Sequence, residues 1–123
     1  MTVLVVDDDP NVVEVFGRML RLGGYDVLAA DNAEGGLRIV ETSSVDAILI
    51  DLRLPLVDGL AFVRRLRAHE TRRRTPIAMV TGDYLLDDGI KNELCLLDVP
   101  LYFKPLWIDD LVRIVERLLD NEP

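Results

Sequence analysis

The sequence has almost none of the features that anchor a chain to a membrane or cross-link a small fold. One cysteine, Cys95, is present among 123 residues, so no internal disulfide can form and a reducing compartment is expected. No apolar run approaches the roughly 18 to 20 residues that a membrane helix needs, and the N-terminus lacks the basic flank of a signal peptide. We therefore expect a cytoplasmic protein that does not bind a membrane.

Positive charge is also scarce. Lys and Arg number 14 against 22 Asp and Glu, which gives a net charge of −8 and argues against nucleic acid as a direct partner. The only basic run, at 72–74, is interpreted as a solvated loop after a helix. Apolar residues make up 50% of the chain, enough for a full core, so residues 1–123 are predicted to form a single domain.

Short apolar runs recur along the chain, and a polar residue directly follows four of them. The four runs, each with the residue that follows it, are 2–6 with Asp7, 45–50 with Asp51, 77–80 with Thr81, and 101–103 with Lys104. Nearly continuous apolar runs are typical of strands that are buried on both faces of a parallel sheet. Ligands bind outside the carboxyl ends of such strands, so these polar residues predict a site at that edge.

Segments with helical spacing of apolar residues alternate with the strands. The predicted helices are 11–22, 33–42, 58–70, a segment within 87–97, and 108–119, and a fifth strand is predicted at 25–30. Five strands, each followed by a helix, make an α/β fold of the (βα)5 type. Its right-handed crossovers give a doubly wound, five-stranded parallel sheet.

Aspartates carry the first part of the predicted chemistry. Asp9 precedes a proline and is predicted to cap the first helix, so Asp7 and Asp8 exceed what a cap needs. Adjacent carboxylates at a sheet edge repel each other unless a cation joins them, but this pair alone does not decide whether a metal site is present. Asp51 changes the balance, because the third strand should lie beside the first and bring three carboxylates together. Oxygen-only ligands of this kind suit Mg²⁺.

Thr81 and Lys104 would add a hydroxyl and a cation at the same edge. Taken singly, Thr81 is compatible with a simple strand end, and Lys104 with an amine that reaches solvent. Beside three acids, Lys104 is better explained as an ion-pair partner. The five groups together suit phosphoryl transfer, in which a carboxylate nucleophile yields an aspartyl phosphate.

In this order and spacing, the motifs resemble the receiver domain of response regulators in two-component signalling. The matching pieces are Val5 to Pro10, Asp51 with Pro55, Asp58 and Gly59, Val80 to Gly82, and Lys104 with Pro105. Asp51 and Thr81 are 30 residues apart, and Lys104 follows 23 residues later. The resemblance implies a flavodoxin-like topology with strand order 2-1-3-4-5, for which a receiver is itself a standard example.

The resemblance also implies roles for the acidic residues. Asp51 would accept a phosphoryl group from the phosphohistidine of a histidine kinase or a histidine phosphotransfer protein. Mg²⁺ would be bound by Asp8, Asp51 and the backbone carbonyl of Arg53, with Asp7 assisting through water. Arg53 and Asp83 occupy positions that tune phosphoryl lifetime in the family. We hypothesise that they pair across the mouth of the site and hinder an attacking water.

The same resemblance assigns the remaining groups. Lys104 would pair with Asp51 and then with the phosphoryl oxygens, and Thr81 would swing in to hydrogen-bond the phosphoryl group. The Lys104–Pro105 peptide bond is expected to be cis. Receivers usually carry a switch aromatic three residues before the lysine, where this chain has Leu101. Tyr102 follows one step later and, because one step on a strand reverses the face, it is either a displaced switch aromatic or edge packing.

The function that the resemblance implies is a phosphorylation-activated signalling switch rather than a metabolic enzyme. Phosphorylation would change the surface around the fourth helix, fifth strand and fifth helix, which faces an unknown output partner or forms a homodimer. A Mg²⁺-dependent phosphatase is a rival, but it needs an aspartate where Arg53 stands. A flavin-binding module is disfavoured because Asp7 and its neighbours would repel a phosphate. A receiver used only for docking is disfavoured because all five predicted site residues, Asp7, Asp8, Asp51, Thr81 and Lys104, are present.

Overall fold

The structure, a computed structural model, describes residues 1–120, in which five strands alternate with five helices. In chain order the elements are β1 (Thr2–Val6), α1 (Pro10–Leu22), β2 (Asp26–Ala30), α2 (Ala33–Thr42), β3 (Ala47–Ile50), α3 (Gly59–Arg67), β4 (Ile77–Thr81), α4 (Asp88–Leu96), β5 (Leu101–Phe103) and α5 (Ile108–Asp120). The strands form one parallel sheet in the order β2-β1-β3-β4-β5. This confirms the predicted fold and strand order. Across the described residues, no helix has the length and apolar character that a membrane span requires.

The sheet is buried on both faces, as the continuous apolar runs predict. Successive residues of a strand point to opposite faces. Ile48 and Ile50 of β3 belong to the cluster that contains Phe62 of α3, whereas Leu49 belongs to the cluster that contains Leu111 of α5. Helices α2, α3 and α4 therefore cover one face, and α1 and α5 cover the other.

Two element boundaries differ from the predicted ones by two residues or more. Strand β3 begins at Ala47 rather than at 45. Just before it, the Asp46 amide donates to the Thr2 carbonyl at 2.8 Å and the Asp46 carboxylate accepts a hydrogen bond from the Thr2 amide at 2.7 Å. Helix α3 ends at Arg67 rather than at 70. The Arg67 guanidinium donates to the backbone carbonyl of Leu97 at 2.8 Å, which holds the chain that follows α3 against the loop before β5.

Polar side chains cap the helices that begin at the carboxyl edge of the sheet. Each cap accepts a hydrogen bond from a backbone amide two or three residues further on, and these caps are Asp9, Asn32, Asp58 and Asp87. Such caps satisfy amides that the first helical turn leaves without partners. They also fix where each helix starts relative to the strand before it, and the predicted cap at Asp9 is confirmed.

Sheet hydrogen bonding continues for one residue beyond several strands and aligns their polar ends. The bonds run from the Asp7 amide to the Ala30 carbonyl (3.1 Å), from the Asp51 amide to the Val6 carbonyl (3.0 Å), and from the Lys104 amide to the Thr81 carbonyl (2.9 Å). The four polar residues that follow the apolar runs are thereby held at one edge, as the sequence predicts.

Candidate functional site

Three aspartates from two neighbouring strands meet at this edge. Asp7 and Asp8 follow β1 and Asp51 follows β3, and each offers an oxygen atom within 4.8 Å of the others. Asp7 is 3% exposed and Asp51 is 8% exposed, whereas Asp8 is open to solvent. The predicted convergence of the three carboxylates is therefore a feature of the structure.

Lys104 bridges the two buried carboxylates. Its Nζ donates to Oδ2 of Asp7 at 2.7 Å and to Oδ2 of Asp51 at 3.0 Å. The pairing with Asp51 was expected, but the shorter bond to Asp7 was not. One partly buried ammonium thus serves a cluster of three carboxylates, which leaves the cluster with an excess of negative charge. The peptide bond from Lys104 to Pro105 is cis, as the resemblance implies.

Burial and the hydrogen bonds of the bridge shift the pKa values of Asp7 and Lys104. Burial raises the pKa of Asp7, and the hydrogen bonds from Lys104 and from the Asp9 amide only partly offset it. Burial lowers the pKa of Lys104, but its hydrogen bonds to Asp7 and Asp51 outweigh burial, so the net shift is upward. The ammonium therefore stays charged, and the carboxylates around it remain under-neutralised.

The donor set fits a hard divalent cation. All three side chains offer oxygen, and Asp8 leaves the cluster open to solvent on one side, which suits an ion that retains several waters. Oδ1 of Asp51 accepts a hydrogen bond from the Arg53 amide at 3.2 Å, so the backbone of Arg53 lies next to the cluster. These residues therefore suit Mg²⁺.

Thr81 ends β4 with its side chain fully buried. Its Oγ1 accepts a hydrogen bond from the Asp83 amide at 3.2 Å. Among the hydrogen bonds of residues 1–120, none joins Thr81 to Asp51. The hydroxyl is therefore held by the loop after β4 rather than by the acidic cluster.

Arg53 and Asp83 form an ion pair between the loop after β3 and the loop after β4. Arg53 Nε donates to Oδ2 of Asp83 at 3.0 Å, and the terminal nitrogen Nη2 contacts the same oxygen. The hydrogen bond from Arg53 lowers the pKa of Asp83, and the bond to Asp83 raises the pKa of Arg53. This is the pairing that the sequence predicted across the mouth of the site.

Tyr102 lies on the face of the sheet opposite to Thr81. It packs with the cluster covered by α1 and α5, whereas Leu101 and Phe103 pack with the cluster covered by α2, α3 and α4. Thr81 continues the alternation of Ile77 and Met79, which belong to that second cluster. Tyr102 and Thr81 therefore do not share a face of the sheet, and the position of Tyr102 does not support a role as a switch aromatic.

The sequence reasoning missed one residue near the site. Tyr84, three residues after Thr81, stacks on Phe103 with ring centroids 5.3 Å apart and an interplanar angle of 23°. Its hydroxyl donates to the backbone carbonyl of Lys104. The available signal was an aromatic residue three positions after Thr81, but its stacking on Phe103 depends on how the loop after β4 folds over the end of β5, which no local pattern predicts.

The fold and the acidic edge together define a receiver-type α/β domain. The family model of the response regulator receiver domain matches residues 3–115, so the chain belongs to the response regulator receiver domains. Response regulator receiver domains are components of signalling proteins and are not metabolic enzymes. Membership favours the signalling switch over the phosphatase and flavin alternatives.

Curated relatives support the same family. The chain is 37% identical over 117 residues to the alkaline phosphatase synthesis transcriptional regulatory protein PhoP of Bacillus subtilis, and the matched segment covers 94% of this chain and 48% of PhoP. It is 34% identical over 117 residues to the transcriptional regulatory protein PrrA of Mycobacterium tuberculosis, covering 95% and 49%. It is 30% identical over 118 residues to the regulatory protein AtoC of Escherichia coli, covering 95% and 25%. The chain thus spans a quarter to a half of the length of these relatives.

Solved structures show the same architecture. A putative response regulator from Chloroflexus aurantiacus superposes with a TM-score of 0.87 at 32% identity, covering 98% of both chains. A CheY-like receiver domain protein from Methanospirillum hungatei superposes with a TM-score of 0.87 at 27% identity, covering 97% of this chain and 93% of that one. The fold is that of CheY-like receiver domains.

Proposed function

We propose that this domain is a switch that accepts a phosphoryl group on Asp51 from the phosphohistidine of a histidine kinase or a histidine phosphotransfer protein. A carboxylate oxygen of Asp51 forms the new bond to phosphorus. The bond between phosphorus and the imidazole nitrogen breaks, and its electron pair stays on the imidazole. The observation that carries this proposal is the shared ammonium, because Lys104 contacts Asp51 and Asp7 at the solvent-facing end of two adjacent strands.

The surrounding groups would neutralise and orient the phosphoryl group. Mg²⁺ would be held by Asp7, Asp8, Asp51 and the backbone carbonyl of Arg53, and it would neutralise charge on the transferred oxygens. Lys104 is already hydrogen-bonded to Asp51 and would donate to a phosphoryl oxygen. Thr81 would exchange its hydrogen bond with the Asp83 amide for one with the phosphoryl group.

The ion pair at the mouth would set how long the phosphoryl group persists. An aspartyl phosphate is lost when water attacks phosphorus, and the approach of that water passes the loops after β3 and β4. Arg53 and Asp83 join those two loops. We infer that the pair slows the domain's own dephosphorylation by restricting access.

The output would be a changed surface on α4, β5 and α5. Added charge on Asp51 would favour the conformation in which Thr81 has moved, and a few kcal/mol of differential stability shifts such a population. The proposed setting is cytoplasmic, as a single domain spanning 1–123 of which the last three residues lie outside the described part. The partners would be the phosphodonor and an output protein, with a homodimer as an alternative and no direct contact with nucleic acid.

Acetyl phosphate tests the acceptor directly. The protein is incubated with acetyl phosphate and Mg²⁺, and intact mass spectrometry should show one added phosphoryl group. Asp51→Asn and removal of Mg²⁺ with a chelator should each abolish the adduct. Asp58→Asn keeps a capping side chain at α3 and is the matched control that should still be labelled.

Two results would contradict the proposal. A wild-type protein that takes up no phosphoryl group under these conditions would leave a receiver that acts by docking alone. Steady release of phosphate from small phosphoesters would instead point to a phosphatase.

A further inference from the structure

Tyr84 joins the two segments that carry the phosphoryl-binding side chains. It lies in the loop between β4 and α4, three residues after Thr81. Its ring stacks on Phe103, and its hydroxyl donates to the backbone carbonyl of Lys104. One side chain thus links the end of β4 to the end of β5.

The residue beneath the Tyr84 ring is the direct sheet neighbour of Thr81. Thr81 and Phe103 are register partners in the pairing of β4 with β5. They also share the face of the sheet that α4 covers, because Phe103 packs with that cluster and Thr81 follows the alternation of β4. Thr81, Phe103 and Tyr84 therefore form a continuous group on the side of the sheet toward α4.

The loop that carries Tyr84 is tied to the Thr81 hydroxyl. The Asp83 amide donates to Oγ1 of Thr81 at 3.2 Å, and Oδ1 of Asp83 accepts from the Leu85 amide at 3.0 Å. Tyr84 stands between these two anchored residues. If Thr81 turns toward a phosphoryl group, the Asp83 amide loses its acceptor, and the loop that carries Tyr84 loses its direct contact with the Thr81 side chain.

We propose that Tyr84 is a positioning residue that couples Thr81 to the end of β5, in place of the aromatic that receivers usually carry where this chain has Leu101. The inference rests on the proposed phosphorylation of Asp51. Tyr84 is 61% exposed, so its ring can move without opening the core. The same exposure makes it part of the surface that changes.

The size of the coupling follows from the two contacts. An aromatic stack and a neutral hydrogen bond each shift an equilibrium by roughly two- to tenfold. Tyr84→Phe removes only the hydrogen bond to Lys104, and Tyr84→Leu removes both contacts. Tyr102→Phe, on the opposite face of the sheet, is the matched control.

Hydrogen exchange with and without acetyl phosphate and Mg²⁺ measures the coupling, and intact mass monitors the adduct in the same samples. In wild type we expect phosphorylation to change exchange at amides 82–87 and 101–104. Tyr84→Leu should carry the adduct but reduce the change at 101–104 by at least roughly threefold. Tyr84→Phe should fall between the two, and Tyr102→Phe should match wild type.

Each alternative outcome is decisive. If Tyr84→Leu shows the full change at 101–104, the coupling is absent and the phosphoacceptor proposal is unaffected. If Tyr84→Leu blocks the adduct, or already alters exchange throughout the unphosphorylated domain, Tyr84 serves the chemistry or the fold and the inference is wrong. If wild type takes no phosphoryl group, the proposed function itself fails.

Discussion

The backbone carbonyl of Asp51 lies so close to Gly59 that a Cβ on Gly59 would collide with it. The Gly59 amide also donates to the Leu52 carbonyl at 2.9 Å, so the first turn of α3 rests on the end of β3. Asp51 is therefore backed by a helix start that tolerates no side chain. This contact fixes the position of the Asp51 backbone, and so of the proposed phosphoacceptor, at the carboxyl end of β3.

Gly59→Ala should lower stability and disturb the site. We expect the free energy of unfolding to fall by about 1 to 3 kcal/mol, the usual cost of forcing atoms into a filled space, as measured by urea denaturation. Labelling by acetyl phosphate should slow in the same variant. Gly82→Ala is the control, because nothing lies within 4 Å of its added Cβ. Equal stability of both variants would show that α3 can shift away from Asp51.

Lys104→Gln should make the domain depend on Mg²⁺ for stability. Without the ammonium, two buried carboxylates lose their common partner, and unfolding in Mg²⁺-free buffer should become easier by about 3 kcal/mol. A ligand that binds only the folded state stabilises it, so added Mg²⁺ should recover more stability in the variant than in wild type. Thermal unfolding with and without Mg²⁺ measures both effects.

The control for that experiment is Lys91→Gln, which removes an exposed lysine from α4. It should leave both the stability and the response to Mg²⁺ near wild type. An identical Mg²⁺ response in Lys104→Gln and wild type would mean that the ammonium and the metal do not share the carboxylates.

Arg53→Ala should shorten the lifetime of the aspartyl phosphate. Removing the guanidinium opens the mouth between the loops after β3 and β4, and we expect dephosphorylation to accelerate roughly two- to tenfold. The decay is followed by intact mass after acetyl phosphate is removed. Arg65→Ala, an exposed arginine of α3, is the control and should decay like wild type. An unchanged rate in Arg53→Ala would rule out the gating role.

Helix α4 should loosen when its ion pair with α3 is removed. Only Leu94 of this helix is buried, and Arg64 binds both oxygens of Glu93. The hydrogen bond from Arg64 holds the pKa of Glu93 below its usual range, so the pair contributes stability above the unfolded pKa and loses it as the pH falls through the lowered folded pKa. Glu93→Gln should therefore speed amide exchange in α4 severalfold at most at neutral pH.

The pH dependence supplies the check on that prediction. The ratio of α4 exchange rates between Glu93→Gln and wild type should stay constant near neutral pH and approach one only as the pH falls through the lowered folded pKa of Glu93, where its carboxylate becomes protonated. Glu41→Gln, on the exposed surface of α2, is the control. A ratio of one at pH 7 would show that Leu94 alone holds the helix.

Local patterns predicted the parts of the fold that depend on neighbouring residues. The apolar run before Asp51 predicted a buried strand, and Asp9 before Pro10 predicted a helix cap. Where a distant group intervened, the pattern failed. The Asp46 carboxylate binds the Thr2 amide just before the late start of β3, and the binding of Arg67 to the Leu97 carbonyl accompanies the early end of α3.

The order and composition of the apolar runs determined, by themselves, that an aspartate, a threonine and a lysine would end strands at one edge of a parallel sheet, because strand and helix periods are local properties of the chain. Only the tertiary structure decided that the Lys104 ammonium binds both Asp51 and Asp7, although Asp7 lies 97 positions before Lys104 in the chain. Only the tertiary structure decided, too, that the ring of Tyr84 stacks on Phe103. Those contacts depend on which strands become neighbours and on how the loops pack, and both are settled by burial of the whole sheet.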